Sequence, residues 1–250
     1  MSETVDLGRK AEVIRGLYVG RCEDSSDFIL LGYLAKCWGL GVWGLLEWSL
    51  ILEAESMDSF VLDVRTIFEL SDEQFYQLCR RHPDIHFERS AGGELIIMPP
   101  TGGVSGNRNF SLTTQLGIWV DRHPELGVGF DSSTCFKLPS GADRAPDGAW
   151  VQIDRWNALT LEQQEKFPPL APDFVIELRS RTDNLETLRS KMLEYQSNGV
   201  LLGVLINPQD KQVELYRSNG AVEMLINPME VDCSAVLPGF VIKLTRILLG

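Results

Sequence analysis

The chain predicts an α/β domain, and three features of its C-terminal part carry that prediction. Residues 173–179 and 200–206 are short and almost wholly apolar, the pattern of strands buried on both faces. Residues 185–196 between them have helical spacing and close at Asn198-Gly199. A strand, a three-turn helix and a second apolar strand form a crossover, so the two strands are expected to lie parallel as neighbours.

The remaining elements follow in order. Ser71-Asp72-Glu73-Gln74 is a capping box that starts a helix with Phe75, Leu78 and Cys79 on one face, ending at His82-Pro83. Residues 85–89 and 94–98 flank Ser90-Ala91-Gly92-Gly93 and read as a hairpin. Residues 99–103 read as a loop, and 109–121 as an amphipathic helix through Leu112, Leu116, Trp119 and Val120. Short strands are expected at 128–130, 134–138 and 149–153, with a turn at 139–142. A second capping box, Thr160-Leu161-Glu162-Gln163, starts a short helix that stops before Phe167-Pro168-Pro169. After 200–206 the chain turns at 207–210 into 213–217, whose alternation reads as an edge strand.

The N-terminal part differs. Residues 28–52 are long and apolar enough to span a bilayer, yet Lys36, Glu47 and four glycines interrupt them. Three readings are open: a membrane anchor, an ordered addition, or a translated region upstream of the true start. The regular texture that follows Met57 favours the last, with 1–56 as an extension and 57–250 as the domain. Five scattered cysteines without a C-x-x-C pair fit a reducing compartment, and a cytoplasmic location is expected. A net charge of −12 argues against tight, indiscriminate nucleic-acid binding, unless basic residues cluster locally or a metal supplies positive charge.

The candidate chemistry is carboxylate chemistry. On an extended strand Asp173, Val175 and Glu177 share a face, and Glu177 lies near the carboxyl end, where open α/β sheets place functional groups. A buried acid there must be solvated, paired or metal-bound; a salt bridge to Arg179 or Arg181 is the structural alternative. Asp147 follows Pro146 at the entry to another strand. Two strand-borne carboxylates suit Mg²⁺ or Mn²⁺. Lys191 and Tyr195 are four apart on the crossover helix, so Lys191 can reach back toward the strand ends. Arg179, Arg181, Arg189 and Lys191 form either a phosphate-binding edge or a solvated one. His82 and His86 are poor zinc ligands because Pro83 blocks the aligning helix, and Gly103-Val104-Ser105-Gly106 lacks nucleophile-elbow spacing. No phosphate-binding loop or dinucleotide fingerprint is present, so no nucleotide cofactor is expected. Asn109-Phe110-Ser111 fits a glycosylation acceptor only formally.

FERSAGGELIIMPPTGG, APDGAWV, FPPLAPDFVIELRS, KMLEYQSNGV and GVLINPQDKQVELYR occur in an order that resembles the Uma family of restriction-type endonucleases, abundant in cyanobacteria. The resemblance covers residues 57–246. It implies a restriction-endonuclease-like PD-(D/E)xK core, a central mixed sheet flanked by helices with a metal site at the strand ends. By this resemblance Asp147 and Glu177 are the metal-binding acids, Glu88 a third ligand, and Lys191 stands in for the tripeptide lysine whose position Arg179 occupies. Ser180 fits an E-x-x-S pattern, and Arg181 stands where relatives often have proline. Arginine stays charged, so Arg179 can clamp phosphate but cannot act as a base. The implied activity is Mg²⁺-dependent cleavage of DNA, by a chain that could dimerise to cut both strands; a silent module that keeps the fold is the alternative.

Overall fold

The computed structural model describes residues 60–64 and 70–248. The apolar stretch 28–52 and the boundary at Met57 lie outside them. In chain order the first elements are β1 Phe60–Leu62, α1 Asp72–Arg81, β2 His86–Arg89, β3 Leu95–Met98, α2 Gly103–Arg122 and β4 Gly127–Asp131. Then come β5 Phe136–Lys137, β6 Asp143–Arg144, β7 Gly148–Gln152, α3 Ile153–Asn157, α4 Leu161–Glu165, β8 Phe174–Leu178 and α5 Leu185–Ser197. The chain continues with β9 Leu202–Asn207, β10 Gln212–Arg217, β11 Val222–Ile226, β12 Glu230–Asp232, β13 Val241–Lys243 and α6 Thr245–Leu248.

These strands build a mixed α/β architecture. A six-stranded sheet runs β11-β10-β9-β8-β7-β4, and a five-stranded sheet runs β1-β3-β2-β6-β5. The crossover is present as expected: β8 and β9 are parallel, with Glu177 opposite Leu205, while β7 and β8 are antiparallel. The 86–98 hairpin forms in register, His86 opposite Met98 and Arg89 opposite Leu95. Both capping boxes form, with Ser71 accepting from the Gln74 amide and Thr160 from the Gln163 amide.

Period-two alternation divides the large sheet's side chains between two cores. Phe174, Ile176 and Leu178 face one side with Val204 and Ile206, against Leu112, Leu116 and Trp119 of α2. Val175, Ala149, Val151 and Leu205 face the other, against Met192 and Tyr195 of α5. Glu177 has the parity of Val175, so it points toward α5. Among the described residues no helix is long and apolar enough to cross a membrane.

Two expectations fail. The helix expected from 109 begins at Gly103, so the glycine-containing stretch is its first turn; a Cβ at Gly103 or Gly106 would meet nothing within 4 Å. Two helical glycines cost about 1 kcal/mol each relative to alanine, a penalty the long helix packed on the sheet absorbs. The strand at 213–217 is interior, because β11 pairs outside it with Val213 opposite Leu225. Its polar alternate, Glu214, is only 3% exposed. There it accepts from Arg189 Nη2 at 2.6 Å and from Tyr216 Oη at 2.6 Å, so the alternation marks a buried ion pair rather than a wet face. β6, α3 and everything beyond Arg217 carry too weak a pattern to be read from sequence.

Two glycines in the β4–β7 pair test how closely the sheet is packed. A Cβ at Gly127 would lie 2.3 Å from the Val151 carbonyl oxygen, whereas at Gly148 the nearest atom is 3.7 Å away. Gly127→Ala is expected to cost roughly 1–3 kcal/mol, as overpacking does. Gly148→Ala is expected to leave thermal unfolding nearly unchanged. Comparing the two melting temperatures checks this.

Candidate active site

Asp147 and Glu177 meet because of the sheet register. Gly148 pairs with Ile176 in the antiparallel β7–β8 ladder, so one step further Asp147 stands opposite Glu177. The Asp147 carboxylate extends the ladder by accepting from the Leu178 amide, Oδ2 to N 2.8 Å. Its other oxygen, Oδ1, accepts from Asn109 Nδ2 on α2 at 3.2 Å. Asp147 is partly exposed, whereas Glu177 is 4% exposed.

The crossover helix supplies the cation. Lys191 Nζ lies 2.7 Å from Glu177 Oε1 and 2.8 Å from Glu88 Oε1. It also donates to the Ala145 carbonyl at 3.4 Å. One turn on, Tyr195 Oη donates to Glu177 Oε1 at 3.0 Å. The salt bridges to Arg179 or Arg181 considered from sequence do not form at Glu177; Lys191 is the partner.

Glu88 behaves differently from the other two acids. Its Oε1 accepts from the Ala145 amide at 2.9 Å, and Arg144 Nη1 lies 3.0 Å from Oε2. Arg144 in turn binds Glu194 Oε2 through Nε at 2.5 Å. With both oxygens engaged at 2% exposure, Glu88 joins the two sheets to α5, a placement unlike that of the third metal ligand the resemblance implies.

Electrostatics separates these acids. Burial opposes ionisation of Glu88, but Lys191 and Arg144 outweigh it and hold its pKa below the usual carboxylate range. For Glu177 burial dominates; Lys191 opposes it, Asp147 and Glu88 add to it, and the pKa is pushed up to about 8. Burial also raises Asp147, to about 6, against the Leu178 amide. Lys191 is raised, its two carboxylates overcoming the cost of burial. Counting Glu194, four carboxylates thus face two cations, Lys191 and Arg144, a surplus of acid that burial keeps from ionising fully at Glu177 and Asp147.

That surplus fits a hard divalent cation, which takes oxygen ligands and retains water. Among the described residues no three His, Cys, Asp or Glu side chains form a ready metal cluster. The available donors are two acids and one further oxygen: Asn109 Oδ1, beside Asp147, is buried without a hydrogen-bond donor. Those three oxygen-bearing side chains suit Mg²⁺ or Mn²⁺.

Other expected site residues lie apart from this arrangement. Arg179 Nη1 binds Asp210 Oδ2 at 3.2 Å and Asn207 Oδ1 at 3.3 Å, and its Nε donates to the Asp183 carbonyl. The Ser180 amide donates to Asp183 Oδ2 at 2.6 Å, and its hydroxyl lies 3.2 Å from Thr182 Oγ1. Arg179 and Ser180 therefore order the loop after β8. Arg189 is committed to Glu186 and Glu214. The sequence reading missed Arg144 and Asn109. Nothing local marks Arg144, in a two-residue strand. Asn109 had a signal: a poor helix former at i−3 and i−7 from Leu112 and Leu116, on the buried face of a helix.

The model of a family described as "Uma2: Putative restriction endonuclease" matches residues 72–245. No curated protein matches the chain. Among solved structures the chain is similar to a putative nuclease belonging to DUF820 from Anabaena variabilis. The match has a TM-score of 0.55 and 17% identity, covering 65% of this chain and 89% of that one. This likeness shows the shared nuclease fold.

The raised acids set a pH dependence. Folded and metal-free, Glu177 keeps its proton up to about pH 8, whereas its ordinary value is 4.5. The folded state therefore binds more protons across that window, and stability falls as pH rises through it. Asp147 adds to the fall between 3.8 and about 6. In chelator, Glu177→Gln is expected to remove on the order of 3 kcal/mol of the decline between pH 5 and pH 8. Urea unfolding midpoints at the two pH values measure it.

Proposed function

The chain belongs to the Uma2 family, and from that premise we propose that it is a Mg²⁺- or Mn²⁺-dependent endonuclease that hydrolyses DNA phosphodiesters at Asp147 and Glu177. The observation that carries this reading is the convergence of those two acids, from separate strands, with Lys191 on Glu177. Asp147 and Glu177 would hold the ion, which supplies Lewis acidity for activating water and neutralising charge at phosphorus.

The chain's own groups divide the remaining tasks. Lys191 stays protonated, so it serves as a fixed positive charge and a hydrogen-bond donor rather than as a base. Its pairing with Glu88 fixes its position, and Tyr195 holds the Glu177 carboxylate from the same helix face. Lys191 and Arg144 together keep Glu88 ionised.

DNA approach requires positive surface on a chain of net charge −12. Arg108 and Arg246 line a groove of about 460 Å³ together with Gly103, Val104 and Asn107. Arg108 Nε is buried without a partner. Most other partly buried arginines are committed to carboxylates: Arg89, Arg144, Arg155, Arg179 and Arg189 all form ion pairs. Arg108 immediately precedes Asn109 on α2. We assign this groove the phosphate backbone.

A metal-titrated cleavage assay on supercoiled and linear DNA tests the activity. Asp147→Ala and Glu177→Ala are each expected to lower the rate by at least about 10²-fold, as loss of a group essential to transition-state stabilisation does. Equal rates in all three proteins would refute the reading. In a separate binding titration, Arg108→Ala/Arg246→Ala is expected to flatten the salt dependence of log K by about 2, near 0.9 per phosphate contact.

A further inference from the structure

We infer that Asn109 of α2 supplies the third protein oxygen of the metal site, the role that Glu88 is not free to fill. This rests on the metal reading above. Three observations place it there. The Asn109 amide is held against Asp147, its Nδ2 donating to Oδ1 at 3.2 Å. Its Oδ1 is buried and has no donor. Glu88, the remaining carboxylate at the site, is neutralised by two cations, Lys191 and Arg144, whereas Asp147 accepts only from uncharged amides.

The orientation of the amide is determined by its neighbour. Turned the other way, its oxygen would face the Asp147 carboxylate, acceptor against acceptor, so nitrogen faces the acid. The oxygen then bears the cost of burial without a partner. Helices seldom place asparagine on an apolar face, because its side chain competes for backbone groups and lowers helix propensity. Here it occupies the face that carries Leu112 and Leu116, at the point where α2 passes Asp147. A divalent cation between the two acids gives that oxygen the partner it lacks, directly or through one of the ion's waters. Neutral carbonyl oxygens are ordinary companions to carboxylates around Mg²⁺ and Mn²⁺. The same placement removes Asn109 as a glycosylation acceptor, since its amide is turned into the site.

The test uses the full chain without DNA, with Mn²⁺ as probe, read by calorimetry and by the Mn²⁺-induced rise in melting temperature. Asn109→Ala is expected to bind Mn²⁺ about 10-fold more weakly, the lower end of what loss of a supporting group costs a metal site. Asn109→Asp is expected to be less stable than wild type in chelator, because a further carboxylate faces Asp147. It is also expected to gain more stability from Mn²⁺ than wild type does. A purely structural asparagine would lower the melting temperature equally with and without metal in both variants. Wild-type affinity in Asn109→Ala overturns the inference, as does an Asn109→Asp protein whose Mn²⁺ response is no greater than wild type's. The second criterion holds even if Asn109→Ala does not fold. Failure of wild type itself to bind Mn²⁺ overturns the metal reading and this inference with it; Mn²⁺ binding indifferent to residue 109 overturns the inference alone.

Discussion

The site depends on one buried ammonium. Lys191 sits between Glu88 of the five-stranded sheet and Glu177 of the six-stranded sheet, at 2.8 and 2.7 Å. An unpaired ammonium there would be untenable, and either acid alone would be costly. Together the three bind two sheets and the crossover helix at a single point. Arg144 and the Ala145 amide then complete Glu88, which turns the loop from β6 into β7 toward the same place. That loop delivers Asp147. The sheet register sets the acidic pair opposite one another, and the lysine ties it to the second sheet and the crossover helix.

The same interaction explains how the chain manages with Arg179 in the tripeptide position. β8 ends at Leu178, and Arg179 turns into the following loop toward Asp210 and Asn207. It is charged but spent on structure. Glu177 instead faces α5 by strand parity, and α5 packs on that side through Met192 and Tyr195. Any lysine on the inner face of this helix, near its middle turn, is within reach of the strand end. The constraint falls on the helix face rather than on a residue two places along the strand.

Much of this was legible in the sequence, for definite reasons. The crossover, the hairpin and both capped helices have local signatures, in apolar runs, turn residues and Ser/Thr–Gln spacing, and each forms in place. Asp147, Glu177, Lys191 and Tyr195 could be nominated by strand parity and helix spacing, and all four converge. What escaped notice depends on partners distant in sequence. Glu214 reads as a solvated alternate until Arg189 is known to cover it. Glu88 gives no sign in the sequence of its bond to Arg144, fifty-six residues on. Gly103 reads as the end of a loop, and the helix only from Asn109, because a glycine's local preference says nothing of the sheet against which α2 lies.

The acidity of the chain, awkward for a DNA enzyme, follows a spatial logic. A net charge of −12 repels a polyanion over the surface as a whole. Most partly buried arginines offer no relief, since their charges are cancelled by neighbouring carboxylates. At the acidic pair, on the proposed function, a divalent ion would offset the carboxylates and present positive charge to a phosphate. On the proposed function, a phosphate would meet positive charge at the metal and at Arg108 and Arg246. Such a distribution favours productive contact over tight non-specific adhesion, since counterion release scales with the number of phosphates neutralised and few are neutralised here.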